Sequence, residues 1–409
     1  IESRTQNIMM YTWDRPEAYQ RARAPDTFRV PEKSMVVLLP ARHEEEVIQE
    51  TIGRVVHANY PSRLMEVLVI CEHTDAGTIE KVDEEIAALK REHINNVRLV
   101  VFNDTPVNKP HGLNIGLRDS TNEVVTVFDA EDEIHPEIFN IVNTVMLEEG
   151  VRVVQCGVQL MNYDSSWYSA LNVLEYFFWF KSRLHYHAKL GATPLGGNTV
   201  FFERPLLDEI GGWDEHNLTE DADVGMRISA MSEPVRIVYD DQYVTREETP
   251  PTVGHFIRQR TRWSQGFLQT LRKGDWTRLP NWKQRVMAAY TLGFPTAQAV
   301  LALYVPISLW MMFSTKVPVG QALLLLLPAY LLVSHYFMSL IGLYEFADAH
   351  GLHATWKTPV AMALAYLPYQ WMLAYAAFRA FIREVRGVSN WEKTQHVGAH
   401  RADQGQRAA

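Results

Sequence analysis

Three carboxylates stand within four residues at the end of an apolar run, where Asp129, Glu131 and Asp132 follow residues 124–128. On an extended chain alternate residues point to the same side, so Asp129 and Glu131 can face one site together. Such oxygen ligands suit Mg²⁺ or Mn²⁺, which keep coordination positions open for a diphosphate. A solvated acidic loop is the alternative reading, but carboxylates crowded at the end of a buried strand repel one another without a cation. The pattern therefore predicts a metal site at Asp129 and Glu131.

A second acidic group, Thr219-Glu220-Asp221-Ala222-Asp223, follows two glycine-bearing stretches at 195–198 and 211–213. A carboxylate near the start of a helix can take a proton from a sugar hydroxyl as a general base. Asp221 is the first candidate for that role, with Glu220 beside it. The alternative is a helix N-cap, for which Thr219 is the better residue.

Basic and aromatic residues supply a third kind of chemistry. Lys109 lies in a loop that opens a helix, where a lysine can meet a phosphate. In the run 259–263, Arg262 can pair with a diphosphate and Trp263 can stack on a sugar ring, and Gln259 completes the pattern. The alternative for this run is an aromatic, basic anchor for lipid headgroups.

The elements that must position these residues alternate along the chain as in a doubly wound α/β sheet. Strands are predicted at 35–40, 67–71, 97–102, 124–128 and 152–160, and helices at 44–58, 78–93 and from 205. In such a sheet ligands bind outside the carboxyl ends of the strands. Polar side chains close the first two strands there, and the substrate-binding residues predicted among them are Pro40, Arg42, Glu44, Glu72 and Asp75. An aromatic helix at 166–188 fits either the core or a membrane interface.

Composition and charge limit the class of protein. The chain has 409 residues, of which 47% are hydrophobic and 21% charged, so it is not a disordered protein. The 39 basic residues against 48 acidic ones give a net charge of −9, which disfavours a nucleic-acid partner. Cys71 and Cys156 lie in apolar runs and are predicted to be reduced, buried and structural.

Three long apolar segments follow residue 285, at 289–313, 321–343 and 358–381. Each is long enough for a helix that crosses the hydrocarbon core, which predicts a multi-pass protein of the inner (plasma) membrane. Basic residues flank both ends of this region and place the catalytic domain in the cytoplasm by the positive-inside rule. Three full crossings cannot leave both flanks on one side. Either one segment is therefore re-entrant or interfacial, or the basic tail is misassigned.

These motifs in this order resemble a membrane-bound family 2 glycosyltransferase of the cellulose synthase-like kind, with a GT-A fold. The resemblance covers roughly residues 34–275 and, weakly, the tail at 391–394. It implies five parts: an extension at 1–33, a GT-A catalytic domain at 34–250, interfacial helices with Gln-x-x-Arg-Trp at 251–288, transmembrane helices at 289–385 and a cytoplasmic tail at 386–409.

The resemblance also implies roles for the residues. Glu44 and Glu72 would border the uridine pocket with Asp75 nearby, and Lys109 would meet the nucleotide. Asp129 and Glu131 would hold the metal and diphosphate, and Asp221 would be the base. Gln259, Arg262 and Trp263 would close over the diphosphate and the acceptor sugar. The partners are then a nucleotide-sugar donor, a glycan or lipid acceptor and membrane lipids.

The sequence departs from the family pattern at three points. Glu131 stands where the family usually has Asp, and this longer ligand bears on the metal preference. Glu72-His73 stands where paired aspartates are common, so the donor's nucleotide stays open between UDP, which is favoured, and GDP. Only three membrane segments are visible, which is fewer than a channel for a polysaccharide would need. Upstream helices, a homo-oligomer or a partner membrane subunit can supply the missing ones. Two other readings stay open: a metal-dependent nucleotidyltransferase, and a catalytically silent membrane scaffold.

Overall fold

The computed structural model describes residues 2–315, 318–390 and 392. Its centre is a seven-stranded mixed sheet in the order β3-β2-β1-β4-β7-β5-β8, beside a two-stranded sheet of β6 and β9. The strands are β1 Met35–Ala41, β2 Met65–Glu72, β3 Val97–Phe102, β4 Val124–Val127, β5 Val153–Cys156, β6 Val158–Leu160, β7 Val200–Glu203, β8 Val235–Val238 and β9 Thr245–Glu247. This confirms the predicted α/β fold with a doubly wound mixed sheet.

Fourteen helices of the described chain surround and follow the sheet. They are α1 Glu2–Met9, α2 Pro16–Ala22, α3 Ile48–Val56, α4 Ala76–Arg91, α5 Lys109–Asp119, α6 Ile138–Glu149, α7 Ser169–Phe178, α8 Leu184–Leu190, α9 Arg204–Ile210, α10 Glu220–Ala230, α11 Val253–Lys273, α12 Trp282–Ser314, α13 Val319–Ala349 and α14 Lys357–Val385. A π-helical turn, Trp179–Arg183, joins α7 to α8. Helices pack on both faces of the sheet and bury its β-branched side chains.

The first four strands run parallel and bring the predicted polar ends to one edge. Ala41 lies opposite Cys71, and Leu38 opposite Val127, so the residues after β1, β2 and β4 meet at the same carboxyl edge. The chain turns outward in opposite directions on the two sides of β1, which is where an open α/β sheet has its crevice.

One predicted strand is wrong in its extent. The run 152–160 forms two strands in different sheets: β5 pairs with β7 and β8, and β6 pairs with β9. Gly157 separates them, and a Cβ there would lie 2.7 Å from the ring of Tyr239, so only glycine allows the chain to change sheets this close to the core. β7 enters antiparallel between β4 and β5.

The aromatic segment at 166–188 forms α7, the π-helical turn and most of α8, and it belongs to the core. Phe177 is fully buried, and Phe178 and Phe180 are nearly so. Phe177 contacts Phe346 of α13 edge to face, with 5.9 Å between the ring centroids. The segment therefore joins the core around the sheet to the C-terminal helices. Both cysteines are free and buried, as predicted.

Each predicted apolar segment lies within one long helix: α12, α13 or α14. By length and hydropathy, one helix of the described chain, Trp282–Ser314, passes as a candidate membrane span. The other two segments are helical, but the described residues give no further candidate. The predicted tail motif has only Glu392 among the described residues, where it receives hydrogen bonds from Arg379 and Arg383 of α14.

α14 runs beside α11. The ring of Tyr369 lies 5.5 Å from that of Phe256 near the start of α11. Further along, Glu384 pairs with Arg272 at 2.6 Å and accepts a hydrogen bond from Gln265. Both contacts are to the same helix, so α14 stays against α11 over much of its length.

The N-terminal extension is bound to both parts of the chain. The indole Nε1 of Trp13 donates to Glu345 of α13 at 2.5 Å, and Lys181 of the π-helical turn pairs with the same carboxylate at 2.6 Å. Residues 29–33 run along α6, where the backbone N–H groups of Glu32 and Lys33 both donate to Asn143.

Candidate active site

A cavity of about 510 Å³ opens at the carboxyl edge of the sheet and continues between the C-terminal helices. Its walls include nearly all of the residues that the sequence singled out: Pro40, Arg42, Glu44, Glu72, Lys109, Asp129, Glu131, Glu220, Asp221, Gln259, Arg262 and Trp263. They come from loops and helices spread over more than 200 residues of sequence. The sheet edge and α11 bring them together.

Lys109 lies between Asp129 of the predicted metal pair and Glu220, the neighbour of the predicted base Asp221. Its Nζ donates to Asp129 Oδ1 at 2.5 Å and to the Gly197 carbonyl at 3.0 Å, and it lies 4.0 Å from Glu220 Oε1. Burial alone lowers the pKa of Lys109, but the charges of Asp129 and Glu220 more than reverse this and raise it above its ordinary value. The lysine is therefore a fixed positive charge at the floor of the cavity.

Sequence reasoning missed two residues, Asn198 and Glu247, that contact the acidic loop at 129–132 or each other through hydrogen bonds. Asn198 donates to both oxygens of Asp132 at 2.9 Å and also to Glu247, which lines the cavity. Burial, followed by the charges of Asp129 and Glu131, raises the pKa of Glu247 to about 8. No spacing in the sequence marks Glu247, because it reaches the site through the pairing of β9 with β6.

Asp132 holds the loop that presents the predicted metal ligands. Its side chain is fully buried, and Oδ2 accepts a hydrogen bond from the backbone N–H of Asp129 at 2.8 Å. Asp129 and Glu131 are left to line the cavity. Several carboxylates thus crowd one place, and hard oxygen ligands of this kind fit Mg²⁺ or Mn²⁺.

A separate trio of potential ligands lies on the loops after β1 and β2. Among the described residues, His43, Glu45 and Asp75 have ligand atoms within 4.8 Å of one another. Asp75 is buried and accepts a hydrogen bond from the backbone N–H of His43 at 2.7 Å. Asp75 is not among the cavity-lining residues, so it shapes the loop that carries Arg42 and Glu44.

Glu72 lies at the other end of the cavity, where β2 ends. Its carboxylate accepts hydrogen bonds from the hydroxyl and the backbone N–H of Thr74. The Thr74 hydroxyl lowers the pKa of Glu72, and burial opposes it less strongly. An ionised carboxylate at this position is an acceptor for N–H or O–H groups of a ligand.

Asp221 and Glu220 stand at the start of α10 and differ in their surroundings. Glu220 is buried, and burial raises its pKa to about 7 against the lowering effect of Lys109. Asp221 is half-buried and lines the cavity, and burial is also the main cause that raises its pKa. A Cβ on Gly197 would lie 3.1 Å from Asp221 Oδ2, so this glycine lets the backbone lie against the carboxylate.

The third carboxylate of this group, Asp223, has a structural role. It is fully buried, pairs with Arg227 at 2.8 Å and pairs with Lys273 of α11 at the same distance. Thr219 occupies the N-cap position of α10, but its side chain makes no capping hydrogen bond.

α11 presses directly on the loop that carries Asp221. A Cβ on Gly266 would lie 2.4 Å from Thr219 Oγ1 and 2.5 Å from its backbone N. Nearby, the Leu218 backbone N–H donates to Gln269 Oε1 at 3.0 Å. The helix with Gln259, Arg262 and Trp263 is thereby held in register with the predicted base.

The residues of the Gln-x-x-Arg-Trp run face the cavity from α11. Gln259 is buried, and its Oε1 has no hydrogen-bond partner within the described chain. The ring of Trp263 lies between the Arg260 guanidinium, 4.7 Å from the ring centroid, and the ring of Tyr176 at 6.2 Å. An unsatisfied buried acceptor and a fixed aromatic ring are features that bind a hydroxyl-rich ligand.

This fold and this edge of the sheet define a GT-A-like α/β protein. Residues 31–266, more than half of the chain, match the family described as Glycosyltransferase like family 2. The chain therefore belongs to this family, as its motifs predicted, and the matched range contains all twelve of the predicted residues that line the cavity.

Several curated proteins are similar in sequence. A probable glycosyltransferase, YdaM, of Bacillus subtilis is 26% identical over 238 residues, which cover 56% of this chain and 54% of the relative. The poly-beta-1,6-N-acetyl-D-glucosamine synthase of Staphylococcus epidermidis is 24% identical, covering 66% and 62%. The beta-monoglucosyldiacylglycerol synthase of Nostoc is 26% identical, covering 57% and 48%. The chain thus aligns with roughly half to three fifths of the length of these relatives.

Among solved structures, a mannosyltransferase from Pyrobaculum calidifontis in complex with GDP-Man and Mn²⁺ superposes with a TM-score of 0.55. It is 18% identical, and the match covers 94% of this chain and 96% of that one. At this identity the similarity shows the shared fold.

Proposed function

We propose that the protein is an inverting, metal-dependent glycosyltransferase that moves a sugar from a nucleotide-sugar donor to an acceptor at the membrane face. The observation that carries this proposal is a single cavity in which Lys109 joins Asp129 to the loop of Asp221. The relatives named as glycosyltransferases and glycan or glycolipid synthases support the same class.

The proposed reaction is a single displacement at the anomeric carbon. An acceptor oxygen attacks this carbon, and the bond to the diphosphate breaks with its electron pair on the leaving nucleoside diphosphate. Asp221 accepts the proton of an attacking hydroxyl. Both Glu220 and Asp221 line the cavity, but Glu220 lies 4.0 Å from Lys109, whereas Asp221 makes no ion pair among the described residues. Glu220, buried beside Lys109, sets the electrostatics of that site.

The leaving group needs positive charge, and three sources support its binding here. Asp129 and Glu131 are the residues that would hold a divalent cation, which supplies charge to the diphosphate when bound. Lys109 is the fixed charge at the cavity floor, and Arg262 faces the cavity from α11. Glu44 and Glu72 would accept hydrogen bonds from the nucleoside, with UDP favoured.

Membrane attachment is part of the proposal. α12 and α13 would form a hairpin through the bilayer, and α14 would lie along the interface. Large apolar side chains outside the protein core support this, such as Leu303 at 65%, Phe313 at 81% and Leu364 at 76% exposure. α14 exposes Leu367, Trp371 and Phe378 on one side, whereas its buried residues are Met362, Ala365, Tyr366, Tyr369, Ala376, Ala377 and Ala380. An interfacial α14 leaves both basic flanks on one, cytoplasmic, side.

The decisive experiment is a screen of nucleotide sugars with the purified chain in nanodiscs, with Mg²⁺ or Mn²⁺. Release of nucleoside diphosphate from one donor, coupled to loss of the sugar, is the expected result. Release of pyrophosphate would make it a nucleotidyltransferase, and no turnover of any donor would favour a silent scaffold.

A further inference from the structure

The cavity does not end at the catalytic residues, and its second half has a different character. Beyond Trp263 it continues between α7, α12, α13 and α14, where its walls are mainly apolar and include Leu174, Phe294, Leu301 and Leu373. We call this part the apolar chamber. It is continuous with the site of Asp221, so a ligand can occupy both.

One cation in the chamber wall makes no close ion pair. Arg183, at the end of the π-helical turn, forms no salt bridge within 4.0 Å among the described residues, and its Nε makes no hydrogen bond. Glu175, which also lines the cavity, attracts this charge only from a longer distance. Its guanidinium lies between two aromatic rings, 5.1 Å from the centroid of Trp179 and 5.8 Å from that of Phe294. Burial lowers the pKa of Arg183, which expresses the cost of keeping this charge away from water.

A buried arginine beside an apolar chamber fits a ligand that has both an apolar chain and an anionic group. The two aromatic rings offset part of the free-energy cost of burying the guanidinium charge. Only an anion, however, can accept hydrogen bonds from its N–H groups and neutralise that charge. The helices that line the chamber also carry the exposed apolar surface described above, so lipid chains lie within reach of it. A glycan chain would instead need hydroxyl partners along the whole path.

We propose that the acceptor is a phosphate-bearing membrane lipid, with its chain in the apolar chamber and its phosphate on Arg183. This inference rests on the proposed function and narrows its acceptor. If the attacking atom is a lipid hydroxyl, its proton passes to Asp221. If it is an ionised phosphate oxygen, there is no proton to remove. In both cases the anomeric carbon–oxygen bond to the diphosphate breaks as the new one forms.

The test uses the full chain in phosphatidylcholine vesicles with a labelled donor sugar that the screen identifies. Three preparations contain phosphatidylglycerol, undecaprenyl phosphate or diacylglycerol, and a fourth assay adds a soluble oligosaccharide. Label should enter the organic phase with one of the first two lipids, and which of them does so distinguishes a lipid hydroxyl from a lipid phosphate as the acceptor. Transfer confined to diacylglycerol or to the oligosaccharide would overturn the inference.

Arg183→Gln should raise the KM for the phosphate-bearing lipid roughly tenfold or more, because a charge-assisted hydrogen bond is lost. The KM for the donor should stay within about twofold. Arg183→Lys, which keeps the charge, should recover part of the affinity, and Arg63→Gln on the exposed turn before β2 is the control for surface charge. A rise in donor KM instead would place Arg183 at the diphosphate and refute the lipid role.

The chamber is tested separately by filling it. Leu301→Trp should slow transfer to the long-chain lipid by roughly tenfold, while Leu303→Trp on the exposed side of the same helix should have little effect. Equal rates in both variants would contradict chain binding in the chamber. Donor hydrolysis without lipid transfer would refute only this inference, whereas no release of nucleoside diphosphate under any condition would remove the proposed function as well.

Discussion

At the scale of single residues, the site separates carboxylates that face the cavity from carboxylates that hold the structure. Asp221 and Asp223 lie two positions apart on α10, yet only Asp221 lines the cavity. Asp223 is fully buried between Arg227 and Lys273. Neighbouring acidic residues therefore offer a matched pair for mutation.

With an acceptor that attacks through a hydroxyl, Asp221→Asn should lower turnover by roughly 100- to 10,000-fold, the usual contribution of a positioned general base, with donor affinity nearly unchanged. Asp223→Ala should instead destabilise the protein by about 3 kcal/mol, because it leaves buried cations unpaired. The measurements are the transfer rate, nucleotide affinity and thermal midpoint of each variant. A near-normal rate for Asp221→Asn would remove Asp221 from the mechanism.

Asp129→Ala and Glu131→Ala should abolish binding of Mn²⁺ and turnover while the protein stays folded, and EDTA should do the same to the unmodified chain. Binding of Mn²⁺ with and without nucleoside diphosphate can be followed calorimetrically, independently of activity. His43→Ala is the control, because it removes a member of the other ligand trio. If this variant loses Mn²⁺ and the first two keep it, the metal site is at His43, Glu45 and Asp75.

Most of the residues predicted from the sequence line one cavity, because each follows a recognisable strand end or motif, and their roles stay predictions. What the sequence could not predict is their pairing. The contact of Lys109 with Asp129 joins positions 20 apart, and Glu247 reaches Asn198 across 49 residues through sheet pairing. Such contacts depend on tertiary geometry, which local spacing does not encode.

At the scale of elements, α11 is the part that sets the distance between motifs. Gly266→Ala would place a methyl group against Thr219 and displace the helix from the loop of Asp221. Since a misplacement of about 1 Å can cost 100-fold in rate, turnover should fall by at least tenfold. Gly254→Ala on the same helix meets no atom closer than 3.9 Å and should leave the rate unchanged. Equal activity in both variants would show that the close approach is not needed.

α8 gives the fold a dependence on pH. His185 and His187 are buried, and burial lowers the pKa of each to about 3, with Arg236 and Arg183 respectively adding to the effect. The unfolded chain binds protons on them near pH 6.5, so stability is complete above that pH and falls as the pH drops toward 3. At pH 5.5 each histidine should therefore lower the free energy of unfolding by about 1.4 kcal/mol.

The variant His187→Gln keeps a donor for the Ala192 carbonyl and should lose about 1 kcal/mol less than the unmodified chain between pH 7.5 and 5.5. Chemical denaturation at the two pH values measures this difference. His57→Gln, at an exposed position, should show the unmodified slope. A His187→Gln variant with that same slope would mean that His187 is protonated in the folded protein.

The elements also show where sequence periodicity is insufficient. Alternation correctly predicted β1 to β4, but it merged β5 and β6, because both are buried runs with one glycine between them. Hydropathy correctly predicted three long helices, yet it could not distinguish α12, which passes as a candidate membrane span, from α14, which lies beside α11. That distinction depends on which neighbours each helix meets.

At the scale of the whole molecule, the arrangement of α14 predicts an outcome for labelling. With α14 at the interface, cysteines introduced at Trp356 and Val388, exposed residues at its two ends, should react with a membrane-impermeant thiol reagent from the same side of sealed vesicles. Leu303→Cys, on the proposed crossing helix, should be protected. The native Cys71 and Cys156 are buried and give little background. Labelling of the two ends from opposite sides would make α14 a third crossing.

The contact of α11 with both α14 and the loop of Asp221 has a consequence for how the protein responds to its surroundings. A helix that lies in the headgroup region shifts with lipid packing and membrane curvature. On the proposed placement of α14, such a shift would pass through the Glu384 contacts on one side of α11 and through Gly266 on the other to the loop that carries Asp221. The rate of sugar transfer would then vary with the mechanical state of the membrane to which the protein is attached.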